Sequence, residues 1–236
     1  MKFLIVGNGP FLASDIIQEA AQDTQIIALD GACEKLARMG LMPHVILGDF
    51  DSISDEGCQY WGIKETFHQI DENSEAYIGY HEVKIVPAKD QLLTELMKAI
   101  RYCDENYAIS IDLVCVTGGR TDQTISNFRV LRSMYKKDRP IFLHSERETI
   151  TFAKNEQVFI RGNIGDYCGL FAFPAGNFFS RGLKYNGDHY PLDFAYSESA
   201  SNQLADTIAY VDIEGEALII SPGQLASQQH YSVIEA

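Results

Sequence analysis

The stretch Val45-Ile46-Leu47-Gly48-Asp49-Phe50-Asp51-Ser52 runs an apolar strand straight into a turn that carries two carboxylates. Alternate side chains of an extended segment point the same way, so Asp49 and Asp51 project together from the strand's carboxyl end. Two acids in one place repel unless they share a proton or a cation. A hard divalent ion such as Mg²⁺ resolves the conflict, and Mg²⁺ is commonly bound together with phosphate. Asp and Ser also make ordinary turns, so the meaning of the segment depends on its surroundings.

Working outward, short apolar runs alternate with helix-length amphipathic stretches over the first ~145 residues, the pattern of a parallel sheet with crossover helices. The candidate strands are Phe3–Val6, Ile26–Leu29, Val45–Leu47, Val83–Val86, Ile111–Val116 and Ile141–Leu143. Most end in loops rich in Gly, Asp, Asn or Arg: Gly7-Asn8-Gly9-Pro10, Asp30-Gly31-Ala32, Gly48-Asp49-Phe50-Asp51, Lys89-Asp90-Gln91 and Gly118-Gly119-Arg120-Thr121-Asp122. Ligands of open α/β sheets bind beyond the carboxyl ends of the strands. The concentration of these residues there points to one phosphate-handling cleft.

The texture changes after residue 145. Short aromatic and β-branched runs (Val158–Ile160, Tyr167–Phe173, Gly182–Tyr185, Thr207–Val211, Ala217–Ile220, Tyr231–Ile234) follow one another without intervening helices. This predicts an all-β sandwich or barrel. The expected organisation is an α/β catalytic domain over residues 1–145, a parallel sheet with flanking helices, and a β domain over residues 146–236.

Two further segments carry candidate chemistry. Gly118-Gly119-Arg120-Thr121-Asp122 follows the most apolar strand and precedes a helical stretch from Gln123 to Met134. Glycines admit a ligand close to the backbone, a helix N-terminus attracts anions, and Arg120 offers a planar fork for phosphate. Asp122 is a third acid near the cleft, an N-cap, or both. From Asp90 to Ile100 the spacing predicts a helix. At ~100° per residue, Asp90, Gln91, Thr94, Glu95 and Lys98 share an arc of roughly 140°, with Leu92 and Leu93 on the apolar side.

No Gly-x-x-x-x-Gly-Lys phosphate loop, dinucleotide fingerprint or nucleophile elbow is present, and the six histidines lack ligand spacing. Carboxylates with Gly/Arg loops and no covalent nucleophile suggest metal-assisted phosphoryl-type transfer. The net charge of −14 without a basic run argues against nucleic acid or an anionic membrane as partner. Five scattered cysteines without metal spacing fit a reducing compartment. The N-terminal apolar run is cut by Gly7-Asn8-Gly9-Pro10, too early for a signal or spanning segment, so a cytoplasmic setting is expected.

The order Asp30-Gly31-Ala32, Pro43-His44-Val45-Ile46-Leu47-Gly48-Asp49-Phe50-Asp51-Ser52, Asp90-Gln91…Thr94-Glu95…Lys98 and Gly118-Gly119-Arg120-Thr121-Asp122 resembles thiamine pyrophosphokinases. Gly182-Leu183-Lys184-Tyr185 and Ser199-Ala200-Ser201-Asn202 extend the resemblance to the C-terminal part. It implies Mg²⁺-dependent transfer of pyrophosphate from ATP, as co-substrate, to the thiamine hydroxyl, with release of AMP, by a homodimer. It further implies Mg²⁺ on Asp49, Asp51 and Glu95, with Asp122 supporting the metal–phosphate cluster. ATP would meet Asn8, Gly9, Asp30, Gly31, Ser52, Thr94, Lys98, Gly118, Gly119 and Arg120. Thiamine would meet Gln91, Ser199, Ser201 and Asn202.

The chain departs from the family pattern at Leu92 and Glu95, where acid-x-Thr-Asp is usual, and at an insertion-like Asn186-Gly187-Asp188-His189-Tyr190. Two alternatives therefore stand beside thiamine: another alcohol acceptor such as a hydroxymethylpterin, or a non-catalytic thiamine- or nucleotide-binding protein.

Overall fold

The structure, a computed structural model, describes residues 1–63, 76–88, 90 and 92–231. It divides into two compact units, Met1–Val130 and Leu131–Ala236.

The first unit is built on β1 (Lys2–Val6), β2 (Gln25–Leu29), β3 (Val45–Gly48), β4 (Tyr77–Ile78), β5 (Lys84–Pro87) and β6 (Ser110–Val114). Their order in the sheet is β6-β1-β2-β3-β5-β4. All neighbours are parallel except β4, which runs antiparallel to β5 at the edge. Leu4, Ile5 and Val6 of β1 and Ile27, Ala28 and Leu29 of β2 are all buried, odd and even positions alike. That is the signature of a sheet covered on both faces. The crossovers carry α1 (Ser14–Ala20), α2 (Ala32–Arg38), α3 (Asp55–Trp61), α4 (Glu95–Glu105) and α5 (Thr121–Ser133).

Two expectations about this region change. The helix anticipated from Asp90 begins only at Glu95, because the Leu92 N–H bonds the Asp90 carboxylate (2.8 Å) and Thr94 caps α4 by accepting the Met97 N–H (3.3 Å). Leu92, placed by periodicity on the apolar side, is instead 94% exposed. The run Ile141–Leu143 forms β7 (Ile141–His144), which pairs antiparallel with β8.

The second unit contains β8 (Glu148–Arg161), β9 (Tyr167–Arg181), β10 (Tyr190–Asp193), β11 (Ser199–Gln203), β12 (Ile208–Pro222) and a short helix α6 (Ala226–Tyr231). Its strands are ordered β10-β9-β12-β8-β7 and all pair antiparallel. β11 shares an edge of β9 with β10, pairing with Tyr167–Leu170 while β10 pairs with Ala175–Phe178. Runs that read as separate short strands merge: Thr207–Val211 and Ala217–Ile220 are two ends of β12. A bulge between Ile213 and Glu216 interrupts its register without ending it. Ala209, Val211 and Ile213, then Ala217 and Ile219, face one core with Leu170, Ala172 and Phe178 of β9. Gly182–Tyr185 is a loop, joined to the following segment by the Leu183–Leu204 bridge and by the Lys184 N–H on the Gln203 carbonyl (2.8 Å). Of Tyr231–Ile234, Tyr231 ends α6 and the remainder lies outside the described residues.

Candidate active site

The carboxyl ends of β1, β2, β3 and β6 and the start of α4 border a cleft of about 900 Å³, within the range of small-molecule sites. Asn8, Gly9, Asp30, Asp49, Ser52, Thr94, Glu95, Lys98, Gly119 and Arg120 line it. Gly31, Asp51, Gly118 and Asp122 are chain neighbours of lining residues. Gln91 lies outside the described residues.

The carboxylate turn is built around Phe50. Its ring is buried, its φ is +65°, and its N–H donates to Asp30 Oδ1 (2.9 Å). With Phe50 turned into the core, Asp49 and Asp51 on either side turn outward, and the Asp51 N–H bonds Asp49 Oδ1 (3.2 Å). Asp30, Asp49 and Asp51 each bring a carboxylate oxygen within 4.8 Å of the others. The negative charge of Asp49 is the first cause of a rise in the Asp51 pKa, ahead of burial. The set therefore lacks cationic charge, and three hard oxygens at this spacing fit Mg²⁺. Sequence reasoning assigned Asp30 to the nucleotide; the fold also joins it to these acids.

Asp30 is 4% exposed and has φ +45°. Burial pushes its carboxyl up to about 9, aided by the hydrogen-bonded carboxyl of Glu95 and opposed by the Phe50 N–H. Between pH 4 and that value the folded chain holds a proton that the unfolded chain has released, so this group's contribution to stability falls as pH rises through the window. Asp30→Asn, which keeps an oxygen for Phe50, is expected to flatten that slope in metal-free buffer. Thermal midpoints of both proteins at pH 5 and pH 8.5 check this; equal slopes would place the proton elsewhere.

The other loops are tied to this turn. Ser52 Oγ accepts from Asn8 Nδ2 (3.0 Å) and from the Gly31 N–H (3.2 Å), which fills both of its lone pairs. Its own hydrogen remains to be given to an acceptor. Glu34 Oε1 accepts the Ser54 hydroxyl (2.5 Å), and Ser54 in turn caps α3. The Lys98 ammonium bonds the Ala88 carbonyl, and Asn127 Nδ2 ties α5 to the Val116 carbonyl (2.7 Å). Arg120 grips Asp122 with both arms of its fork (3.1 and 2.6 Å), at 75% and 63% side-chain exposure. Asp122 thus orients Arg120 from the first turn of α5, and its Oδ1 also accepts the Gln123 N–H (2.9 Å). Burial pushes the thiols of Cys33, Cys115 and Cys168 up, to about 12, 11 and 11, so none is poised as a nucleophile.

In the second unit, Ser199, Ser201 and Asn202 sit on β11. Asn202 is 1% exposed, and its side-chain amide is fully used. Its Nδ2 donates to the Tyr185 carbonyl (2.8 Å) and Ser199 Oγ (2.9 Å), and its Oδ1 accepts from the Tyr185 and Gln203 N–H groups (3.1 and 2.9 Å). Asn202 and Ser199 lock the Gly182–Tyr185 loop to β11. Ser201, exposed and held at φ +54° beside the register shift, is the residue of the three free to face a ligand. Lys35 was not anticipated as a site residue, since a Lys on an amphipathic helix reads as an ordinary surface residue.

Comparison with known proteins adds the remaining facts. Residues 17–143 match the family description "Thiamin pyrophosphokinase, catalytic domain", and residues 147–218 match "Thiamin pyrophosphokinase, vitamin B1 binding domain". Thiamin pyrophosphokinase 1 of Caenorhabditis elegans is 26% identical over 199 residues, covering 78% of this chain and 73% of the relative. The crystal structure of thiamine pyrophosphokinase from Bacillus subtilis superimposes with a TM-score of 0.76 at 20% identity, over 95% of this chain and 100% of that one. Thiamin pyrophosphokinase from Candida albicans gives 0.75 at 19% identity, over 94% and 88%. The two family domains follow one another here in catalytic-then-binding order, and the chain belongs to the thiamin pyrophosphokinase family.

Proposed function

We propose that the cleft binds ATP with Mg²⁺ and transfers the terminal pyrophosphoryl group to the thiamine hydroxyl. The hydroxyl oxygen forms a bond to the β-phosphorus, the bond from that phosphorus to the α-phosphate bridge oxygen breaks, and AMP leaves. The observation that supports this most is the convergence of Asp30, Asp49 and Asp51 at strand ends, opposite the Gly118-Gly119-Arg120 loop.

Asp49 and Asp51, with Asp30 behind them, are the residues that would hold the metal, which when bound neutralises phosphate charge. Glu95 shares the Asp30 proton and lies where it can orient the acceptor hydroxyl and receive its proton. Ser52 gives its free hydrogen to a phosphate oxygen, and Asn8, Gly9, Gly31 and Thr94 shape the walls. Arg120 exchanges its hold on Asp122 for phosphate oxygens. Ser201 is the residue of the β domain that would meet thiamine.

Incubation with ATP, Mg²⁺ and thiamine is expected to yield AMP and thiamine diphosphate in equal amounts. AMP release with another alcohol and none with thiamine would favour the alternative acceptor, which Leu92 and Glu95 keep open. Binding without AMP release would mark a binding protein. Arg120→Lys keeps the charge and loses the planar fork. It is expected to lower kcat/KM about tenfold or more, since a bond to a charged group contributes roughly 1.5–3 kcal/mol, with an unchanged thermal midpoint. Wild-type kinetics would make Arg120 an ordinary surface residue.

A site whose phosphate residues and Ser201 lie far apart in sequence is readily completed by a second copy, and the working form is inferred to be a cytoplasmic homodimer. Sedimentation at micromolar concentration is expected to give a dimer; a fully active monomer would remove the shared site. Among the described residues, no helix is long and apolar enough to cross a membrane.

A further inference from the structure

We infer that Lys35 is a nucleotide-binding and positioning residue, supplying a fixed positive charge for the phosphates while pinning the loop that borders them; the assignment rests on the cleft being a nucleotide site. Lys35 stands on α2, which follows directly from the Asp30–Gly31 exit of β2, and it lines the cleft. Its ammonium donates to the carbonyls of Asn8 and Gly9, each at 3.1 Å, and lies 4.9 Å from the centre of the Phe11 ring. The Asn8–Gly9 loop is thereby stitched on three sides. Lys35 holds its carbonyls, Ser52 holds the Asn8 side chain, and the Gly9 N–H bonds the Cys115 carbonyl (3.1 Å).

The cations of the cleft differ in what compensates them. The charge of Arg120 is met by Asp122 at 2.6 Å. The hydrogen-bond partners of Lys35 are two neutral carbonyls, which take two of its three N–H groups and cancel none of its charge. Its charge reaches the Cys115 thiol, which burial raises and which a backbone hydrogen bond at Leu12 and then Lys35 pull down. A lysine with two protons on fixed carbonyls and a third left over is a pre-oriented cation whose side-chain entropy is already spent. Polyphosphate needs such a charge here, because the facing carboxylates Asp49 and Glu95 repel it until metal arrives.

The test measures ATP binding by calorimetry without thiamine, in the presence of Mg²⁺, for wild type, Lys35→Met and Lys35→Arg. Lys35→Met keeps the apolar stem against Phe11 and removes charge and donors. It is expected to weaken ATP binding about tenfold or more, with a flatter dependence on salt and a thermal midpoint close to wild type. In turnover, KM for ATP should rise more than kcat falls, and Lys35→Arg should recover part of the affinity. ATP affinity within twofold of wild type in Lys35→Met overturns the role of Lys35 alone. Equal losses of ATP and thiamine affinity with a lowered thermal midpoint overturn it as well, marking a merely structural residue. A wild-type chain that binds no ATP overturns the nucleotide reading and, with it, the role of Lys35.

Discussion

Asp51→Asn is expected to fold as well as wild type, or slightly better, while losing activity by a factor on the order of 10²–10³, because metal charge stabilisation contributes several kcal/mol. Opposite signs for stability and activity follow from the site itself. The Asp51 side chain is exposed, and the charge of Asp49 is the main cause of its raised pKa. Removing one of two repelling charges relieves the metal-free chain, whereas the loaded chain loses a ligand. Residues kept for function at the expense of stability behave this way. Thermal midpoints without metal, and kcat at saturating Mg²⁺, measure the two effects separately. Full activity at limiting Mg²⁺ would take Asp51 out of the metal site.

Gly48→Ala is the second large effect, and it acts through packing. A methyl group at Gly48 would lie 1.8 Å from Asp30 Oδ1 and 2.5 Å from its Cγ. Asp30 is buried and bonded to the Phe50 N–H and to Glu95, so moving its carboxyl away from the new methyl group breaks bonds that hold the turn. Either the strand end shifts or the bond to Phe50 breaks, and overpacking of this kind costs about 1–3 kcal/mol. Because the same contact aims Asp49 and Asp51, activity should fall further than the lost stability explains. Urea unfolding and steady-state kinetics on the purified variant test both parts. A variant with wild-type stability would show that Asp30 does not clamp the turn.

Much of the catalytic unit was legible in its sequence. Parallel strands buried on both faces announce themselves as continuous apolar runs, and their exits are marked by residues that make turns and bind anions, as in Val45–Ser52 and Gly118–Asp122. What escaped was local competition for backbone groups. Periodicity assigned Asp90–Ile100 to one helix, yet Asp90 took the Leu92 N–H into a local turn and Thr94 capped a shorter helix by accepting the Met97 N–H. The partnership of Asp30 with Glu95 and Phe50 joins residues 20 and more apart and has no local signature. In the β unit, the segments were seen but their lengths were not. Gly215 reads as a strand break, whereas its N–H bonds Asn155 Oδ1 (2.7 Å) and the bulge lets β12 continue. Asn202 was assigned to thiamine by the resemblance, and only the fold reveals its four internal hydrogen bonds.

The order β9-β12-β8 has a consequence for how the second unit comes into being. β8 and β9 are neighbours in sequence, but each reserves an edge for β12, whose last residue Pro222 pairs back to Glu148. During synthesis the central strand is therefore the last to leave the ribosome, and until it does, two strands of 14 and 15 residues wait with unmatched edges. Such edges invite pairing with other chains. The interval between the emergence of Arg181 and that of Pro222 is the one in which both edges stand open to other chains.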